Sequence, residues 1–393
     1  MPHRPLLFFV VEHSLSDRDF ERFGLSELSS DFLVEVIDTS ERVSRAPDQF
    51  DHGLKIHVAP TPSDIEFLMQ RSFPRIVISN LGVGKKRNAL FTAGRFMGTL
   101  LVEFQLGLTP GDLFVSRSIL SKTLRRIRQA PSSLDLFASL LQRLAHREEF
   151  HEQAEIKIVG GRAAKELAQK SGMKTIDAHS HDFDLVMAFK QLPPKLNASS
   201  PYAVYLDQDM GFHPDYEVSQ LRVPIRVSEF YPKLLDYFDE FSRATGMEVV
   251  VSPHPKCDFS RLKVRFPNHR IASESTCETI RGSSCVLSHN STAVSFAVAW
   301  AKPLVLLADR SLIRSWEGPF VLALAKTLEA PIDFIDASHK SFGMPLSIQS
   351  EKYDLYVNEY MSELPHDGRS TWAIVTRRLR EELNARVIGD RGI

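Results

Sequence analysis

The sequence has few cysteines, no long apolar run and almost no net charge. Its three cysteines, Cys257, Cys277 and Cys285, match neither a disulfide framework nor the spacing of a zinc site, so we expect reduced thiols. No apolar run reaches the roughly 18 residues that a membrane-spanning helix requires. The formal net charge is −1, which argues against a nucleic-acid partner. Together these features predict a cytoplasmic globular protein.

The residues that are present indicate an α/β protein with two domains. The chain has 393 residues, 43% of them apolar and 25% charged, whereas a single hydrophobic core stops growing at about 250–300 residues. Short runs rich in Val, Ile and Leu alternate with helical patterns, as buried parallel strands do in βαβ units. The runs are "LLFFVVE", "FLVEVID", "RIVISNLG", "EIKIVGG", "YAVYLD", "EVVVSPHP", "CVLSH" and "PLVLLAD". The first is too short for a signal peptide and predicts a first strand.

The domain boundary is predicted at a segment rich in Pro, Ser and Asn, "KQLPPKLNASSPY" (190–202). This division gives two doubly wound Rossmann-type domains, 1–193 and 194–393. Ligands of such sheets bind at the carboxyl ends of the strands, which predicts a site in the cleft between the domains. Near the end of the chain, a terminal helix docked by one face is predicted from apolar residues at helical spacing, Trp372, Val375, Leu379 and Leu383.

A cluster of small polar residues separates two apolar runs in "VLSHNSTAVSFAVAWAKPLVLLA" (286–308). The strand "CVLSH" leads into it, and we expect Ser291 or Thr292 to cap the helix "AVSFAVAWA" that follows. A helix start carries unpaired N–H groups and partial positive charge, which favour a bound anion such as phosphate. The candidate phosphate ligands are His289, Asn290, Ser291 and Thr292. A simple N-cap without a ligand is the alternative.

A second candidate group follows the strand in "EVVVSPHPK" (248–256). His254 and Lys256 come at the carboxyl end of this strand, and Pro255 stiffens the exit. A surface histidine beside a solvated lysine is the alternative for this stretch alone. In combination with the polar cluster at 288–292, these residues favour a phosphate site.

Acidic residues follow a third strand, in "YAVYLDQDMGFHPDY" (202–216), where Asp207, Asp209, His213 and Asp215 come in close succession. A carboxylate at a strand end, across a cleft from a phosphate site, suits a general base or a nucleophile, and turn chemistry is the alternative. His213 and Asp215 are candidates to line the cleft or to contact the acceptor. The D-x-D pattern at 207–209 leaves a divalent cation open. We expect no metal or other cofactor, because the basic residues and the helix start already neutralise a phosphate.

The three stretches resemble motifs of bacterial sialyltransferases and Kdo transferases, in which an HP motif precedes a serine/threonine motif. "LDQDMGFHPD", "SPHPK" and "SHNSTAVSFAVAWAKP" together also resemble uncharacterised proteins of surface-polysaccharide biosynthesis, over residues 200–310. The resemblance implies a GT-B fold and a glycosyltransferase that uses a CMP-activated sugar in capsule or lipopolysaccharide synthesis. It also implies that His254, Ser291 and Thr292 contact the donor phosphate. The acidic motif of the sialyltransferases matches "DQDMG" only in part, which leaves open which aspartate is the base and whether configuration is inverted or retained.

The implied partners are a nucleotide sugar and an acceptor. The sugar would be a nonulosonic or Kdo-type acid on CMP or another nucleotide, and the acceptor a glycan or lipid-linked glycan. Alternative functions for the same fold are those of a sugar-nucleotide epimerase, a polyol-phosphate transferase, or a noncatalytic scaffold that binds a nucleotide sugar.

Three further segments carry weaker signals. In "NLGVGKKRNAL" (80–90), Lys85 and its basic neighbours could steer an anionic acceptor, although the glycine spacing does not match a P-loop and a turn is the alternative. "SRSILSKTLRRIRQAP" (116–131) predicts a basic helix, either solvated or held peripherally on an anionic membrane. In "HSHDFDL" (179–185), the side chains that could line the cleft, or hydrogen-bond locally in a turn, are His179, Asp182 and Asp184.

Overall fold

The structure is a computed structural model that describes residues 4–40, 52–116, 153–193, 200–213, 216, 222–344, 346–365 and 367–389, with side chains for all of these except 114–116 and 387–389. Contacts among these residues divide the chain into two compact units. The first contains the residues up to Leu106, those from Gln153 to His181 and those from Ser362 onward. The second contains residues 107–116 and those from Asp182 to Met361.

Strands and helices alternate along most of the chain. The strands are β1 (Leu6–Val11), β2 (Leu33–Asp38), β3 (Lys55–Val58), β4 (Ile76–Ser79), β5 (Leu100–Gln105), β6 (Ile156–Gly160), β7 (Lys174–Ala178), β8 (Tyr202–Leu206), β9 (Glu248–Ser252), β10 (Arg270–Ile271), β11 (Cys285–Ser288), β12 (Leu304–Ala308) and β13 (Ile332–Phe334). The helices are α1 (Asp17–Arg22), α2 (Leu25–Asp31), α3 (Pro62–Ser72), α4 (Lys85–Phe96), α5 (Pro110–Ser116), α6 (Arg162–Lys170), α7 (His181–Lys190), α8 (Val227–Thr245), α9 (Phe259–Arg265), α10 (Thr276–Gly282), α11 (Val294–Ala299), α12 (Arg310–Arg314), α13 (Gly318–Leu328), α14 (Ser350–Tyr356) and α15 (Thr371–Gly389). A π-helical segment, Val357–Met361, continues α14.

The first unit is built on seven parallel strands in the order β3-β2-β1-β4-β5-β6-β7. Successive side chains of a strand point to opposite faces of its sheet. Along β1, Phe9 and Val11 join one hydrophobic cluster, whereas Phe8 and Val10 join another. Both faces of this sheet are therefore covered, which is why β1 is apolar throughout rather than at alternate positions.

The terminal helix α15 packs on the first unit through its predicted apolar face. The indole Nε1 of Trp372 donates a hydrogen bond to the Arg22 carbonyl at 2.8 Å. Four side chains of the face are buried in the same cluster as strand β1: Trp372, Val375, Leu379 and Leu383. The docked helix is confirmed. It belongs to the first unit, however, whereas a division at residue 193 assigns it to the second.

The second unit is built on six parallel strands in the order β10-β9-β8-β11-β12-β13. Its core includes five aromatic side chains of α8 that are almost wholly buried, Phe230, Tyr231, Tyr237, Phe238 and Phe241. Strand β8 lies between β9 and β11. Because parallel strands end at the same edge, the three polar stretches that follow β8, β9 and β11 come together there.

The expected pair of doubly wound parallel sheets is confirmed. All eight quoted runs are strands, namely β1, β2, β4, β6, β8, β9, β11 and β12. Four of the five strands that the runs miss, β3, β7, β10 and β13, lie at sheet edges, where burial is less complete and apolar runs are shorter. Most of the predicted basic helix (116–131) and residues 194–199 of the predicted linker lie outside the described residues. Within the described parts, no helix combines the length and apolarity needed to cross a bilayer.

Candidate active site at the carboxyl edge of the second sheet

Two aspartates follow β8, and both are buried against an arginine of α9. Arg265 Nη2 lies 2.6 Å from Asp209 Oδ1 and 3.5 Å from Asp207 Oδ2. The side chains of the two aspartates are at most 1% exposed, and that of Arg265 is 8% exposed. The arginine therefore compensates the carboxylates below the surface. In this conformation neither carboxylate reaches solvent, so the predicted role of either one as base or nucleophile stays a prediction.

The same arginine fixes the loop that follows β8. Its Nη1 donates to the Tyr231 hydroxyl at 2.7 Å, and that hydroxyl donates to the Met210 carbonyl at 3.0 Å. Asp209 has a left-handed backbone with φ of 51°, and Gly211 has φ of 86°. Left-handed φ is accessible to Asp at modest cost and to Gly at none. The loop thus turns sharply at Asp209 and at Gly211, and the hydrogen bond to the Met210 carbonyl fixes the residue between them.

Burial controls the charge of this cluster. It raises the pKa of Asp207 to about 6, although Arg265 opposes the shift, and the neighbouring Asp209 charge raises it further. A carboxylate that loses its water shell favours the protonated form unless a cation lies close. Asp209 has the shorter contact with Arg265 and is the main partner of the guanidinium.

His254 lies just past the end of β9 and faces a second histidine. The ring centroids of His254 and His213 are 4.5 Å apart at 73°, an edge-to-face arrangement. Both side chains are partly exposed. The backbone N–H of Lys256 donates to His254 Nδ1 at 3.2 Å, and the Lys256 side chain is exposed. Since Nδ1 of His254 is an acceptor, its Nε2 carries the proton in the neutral ring.

The prediction that His289 contacts a phosphate through its imidazole is wrong. This side chain is fully buried. Its Nε2 lies 3.0 Å from the Tyr205 hydroxyl, and its Nδ1 lies 2.5 Å from the Leu307 carbonyl. Burial lowers the pKa of His289 to about 4, so the ring is neutral. Its Nδ1–H donates to the Leu307 carbonyl, and its Nε2 accepts from the Tyr205 hydroxyl. His289 joins β8, β11 and β12 inside the core.

Asn290 has structural contacts at this edge, and its contact with a phosphate stays a prediction. Gln208 Nε2 donates to Asn290 Oδ1 at 2.6 Å, and the Asn290 backbone N–H donates to Gln208 Oε1 at 3.1 Å. This reciprocal pair ties the loop after β8 to the loop after β11. The Asn290 side chain also hydrogen-bonds Glu317, which immediately precedes α13.

The predicted cap of the helix after β11 is wrong. Helix α11 has only six residues, its N-cap is Ala293, and no side chain caps it. The Ser291 hydroxyl instead accepts a hydrogen bond from the Ala293 N–H at 3.2 Å, within a tight turn. The Thr292 side chain is exposed and that of Ser291 is partly exposed. Their contact with a donor phosphate stays a prediction, and it would depend on hydroxyls of a turn rather than on a long helix dipole.

The weaker candidates have separate locations. Lys85 is exposed in the first turn of α4, in the first unit. His179 is fully buried, with Nδ1 2.7 Å from Ser362 Oγ, and its position at a cleft stays a prediction. Asp182 accepts a hydrogen bond from Ser295 in the second unit, and Asp184 is partly exposed on α7. Asp215 lies outside the described residues.

Sequence reasoning missed two residues of this region, Arg265 and Glu317. Arg265 is one of several basic residues on a short amphipathic helix, and nothing in its spacing marks it as the partner of Asp209. Glu317 is buried and accepts a hydrogen bond from the Tyr216 hydroxyl at 3.1 Å. Among the described residues, no three His, Cys, Asp or Glu side chains converge as metal ligands. The two aspartates of the D-x-D pattern, Asp207 and Asp209, contact the Arg265 guanidinium.

Glu317 provides a test of how this edge responds to pH. Burial raises its pKa from 4.5 to about 7, against hydrogen bonds from Tyr216 and Asn290. Between those values the folded protein keeps a proton that the unfolded chain has released, so the free energy of unfolding falls as pH rises. Glu317→Gln has no carboxyl group at this position, so it removes this contribution to the pH dependence of the free energy of unfolding. On moving from pH 5 to pH 8, we expect the variant to gain about 2–3 kcal/mol relative to the parent, measured by denaturant unfolding. An offset that is the same at both pH values would contradict the shift.

Known proteins resemble this chain in structure and not in sequence. No protein-family model matches it, and no curated protein does. The glycotransferase of kitacinnamycin aligns with a TM-score of 0.55 at 10% identity, over 97% of this chain and 100% of that one. CalG4, the calicheamicin glycosyltransferase, aligns with a TM-score of 0.55 at 12% identity, over 98% and 99%. The UDP-GlcNAc 2-epimerase of Methanocaldococcus jannaschii aligns with a TM-score of 0.49 at 11% identity, over 96% and 99%.

At these identities the similarity establishes the fold alone. The two glycosyltransferases align along their whole length with a chain that has two parallel α/β units of seven and six strands. The chain therefore has a GT-B-like fold.

Proposed function

We propose that the protein is a glycosyltransferase that transfers a sugar from a nucleotide-activated donor to a surface-glycan acceptor. The observation that carries the proposal is the grouping of His254, the 289–292 turn and the loop after β8 at one carboxyl edge, in a chain with a GT-B-like fold. Following the motif resemblance, the donor is a CMP-linked nonulosonic or Kdo-type sugar. The acceptor is a glycan or a lipid-linked glycan.

The chemistry proposed for this edge is stabilisation of a leaving phosphate. When the bond between the anomeric carbon and the phosphate oxygen breaks, its electron pair stays on the phosphate. Hydrogen-bond donors placed beforehand around that oxygen lower the barrier, because they need no reorganisation as the charge develops. The Nε2–H of His254 and the hydroxyls of Ser291 and Thr292 are the proposed donors.

The proposed acid–base group is Asp207 or Asp209. It would take the proton of the acceptor hydroxyl, or attack the anomeric carbon if configuration is retained. Both carboxylates are buried against Arg265, so this role requires one of them to be released from the guanidinium when substrate binds. A base from elsewhere in the chain would leave the phosphate chemistry unchanged.

The test is turnover of a donor panel of CMP-, UDP- and GDP-linked sugars, with release of nucleotide as the readout. We expect one donor class to be hydrolysed slowly without acceptor, and His254→Ala to lower this rate about 10²–10³-fold, as removal of a donor to a developing oxyanion does. His339→Ala is the matched control, because His339 is an exposed histidine of the same unit. It follows β13, which lies at the end of the sheet, four strands away from β9.

Other outcomes separate the alternatives. Interconversion of a free UDP-sugar without acceptor would identify an epimerase. Nucleotide binding with no turnover of any donor would identify a noncatalytic scaffold. Equal rates for His254→Ala and His339→Ala would remove His254 from the mechanism.

A further inference from the structure

Two carboxylates at the carboxyl edge are buried, whereas two imidazoles of the same loops are partly exposed. Asp207 and Asp209 lie below the surface, each within 3.5 Å of the Arg265 guanidinium. Their charge is compensated from within the fold, and they do not face solvent. Among the described residues of the loops after β8 and β9, the side chains nearer the surface include the partly exposed rings of His213 and His254 and the exposed Lys256.

The buried cluster also sets the position of His213. Asp209 and Met210 are fixed by Arg265 and Tyr231, and the left-handed Gly211 packs so closely that a Cβ there would clash with Val227. The next residue, Phe212, lies under the Arg265 guanidinium at 5.2 Å and under that of Arg261 at 4.8 Å. Every residue of the loop from 209 to 212 is thus held in place. His213 is delivered to within 4.5 Å of His254 by a rigid support.

We propose that His213 is a second phosphate-binding residue, and that it forms with His254 a paired imidazole site for the phosphate of the nucleotide donor. This inference rests on the proposed function and adds a residue to it. The two ring centroids are 4.5 Å apart, close enough for a nitrogen of each ring to contact one phosphate group, and each imidazole has one N–H donor in its neutral form and two when protonated. In the conformation described, Asp209 also helps to position His213, through its contact with Arg265.

The experiment is calorimetric titration of the full-length protein with CMP, UDP and GDP, followed by the matching nucleoside of whichever nucleotide binds. His213→Ala and His254→Ala should each weaken nucleotide binding about 10- to 100-fold, the loss typical of one charge-assisted hydrogen bond. Binding of the nucleoside, which has no phosphate, should be unchanged in both variants. His339→Ala should bind as the parent does.

The double variant tests whether the two rings act on one group. If both contact the same phosphate, the loss in His213→Ala/His254→Ala should be smaller than the product of the single losses, because removal of one donor already loosens the phosphate. His213→Gln keeps an N–H donor and should recover part of the binding. Circular dichroism and melting temperature establish that each variant is folded.

Three outcomes would contradict the paired site, and they separate its failure from the failure of the proposed function. Unchanged nucleotide affinity in His213→Ala, with weakened affinity in His254→Ala, would overturn the paired site and leave the proposed function standing. A parent protein that binds none of the three nucleotides would overturn both. Equal loss of nucleotide and nucleoside binding in His213→Ala would assign that residue to the base or ribose and also contradict the inference.

Discussion

Asp209→Asn should lower the free energy of unfolding of the second unit by about 3 kcal/mol, and Asp207→Asn should lower it far less. Loss of one partner from a buried ion pair costs about 3–5 kcal/mol, since the remaining charge stays out of water uncompensated. Arg265 contacts Asp209 at 2.6 Å but Asp207 at only 3.5 Å. The lower end of the range applies because Asp207 remains near the guanidinium when Asp209 is neutralised.

The contrast between the two positions follows from their different distances to Arg265. With its pKa raised to about 6, the Asp207 carboxylate is ionised at pH 7.5 at a cost in folding free energy. That pKa already includes the attraction of Arg265, so replacement by Asn removes a net cost and should lower the free energy of unfolding little or not at all. At Asp209 the substitution removes the shorter contact with the guanidinium, at 2.6 Å.

The comparison is matched because both substitutions are isosteric and the residues are two positions apart. Asn also tolerates the left-handed backbone of Asp209, so strain does not enter the result. Urea unfolding at pH 7.5 measures both variants against the parent. Equal losses would mean that neither aspartate is the main partner of the arginine, and a larger loss in Asp207→Asn would assign that role to Asp207.

The sheet edge could be predicted from sequence because strand order follows from simple rules. Apolar runs rich in Val and Ile identify buried parallel strands, and polar residues directly after them must lie at the carboxyl edge. That reasoning correctly brings the loops carrying His254, Asp207 and Thr292 to one edge of the second sheet. The order β9-β8-β11 was not specified, so the acidic loop proves to lie between the two predicted phosphate motifs rather than opposite them.

Side-chain direction within those loops could not be predicted. His289 and His254 both follow apolar strands, yet one ring bonds Tyr205 and the Leu307 carbonyl in the core while the other stays partly exposed. The difference depends on a tyrosine and a carbonyl contributed by neighbouring strands, 84 and 18 residues away. The local sequence "LSHN" does not indicate these distant partners. The same holds for Arg265, whose partners belong to a loop over 50 residues earlier in the chain.

The unit boundary was harder to predict than the strands and helices, because a helix at the end of the sequence can pack on the unit formed by the beginning of the sequence. Helical spacing predicts that α15 has an apolar face, but amphipathicity does not specify which sheet covers it. Chain proximity favours the second unit. The contacts of α15 are instead with α2 and β7, in the first unit.

Trp372→Ala tests this assignment of the terminal helix, and it should destabilise the first unit by about 3–5 kcal/mol, the usual cost of truncating a buried tryptophan. The indole is 3% exposed and lies 5.9 Å from the ring of Phe9 and 5.8 Å from that of Phe104. Trp316→Ala is the control: its indole likewise donates to a backbone carbonyl, but it is partly exposed in the second unit. Hydrogen exchange localises the effect. In Trp372→Ala, amides of β1 and β7 should lose protection while those of β8 and β11 keep it, whereas the reverse pattern would place the helix on the second unit.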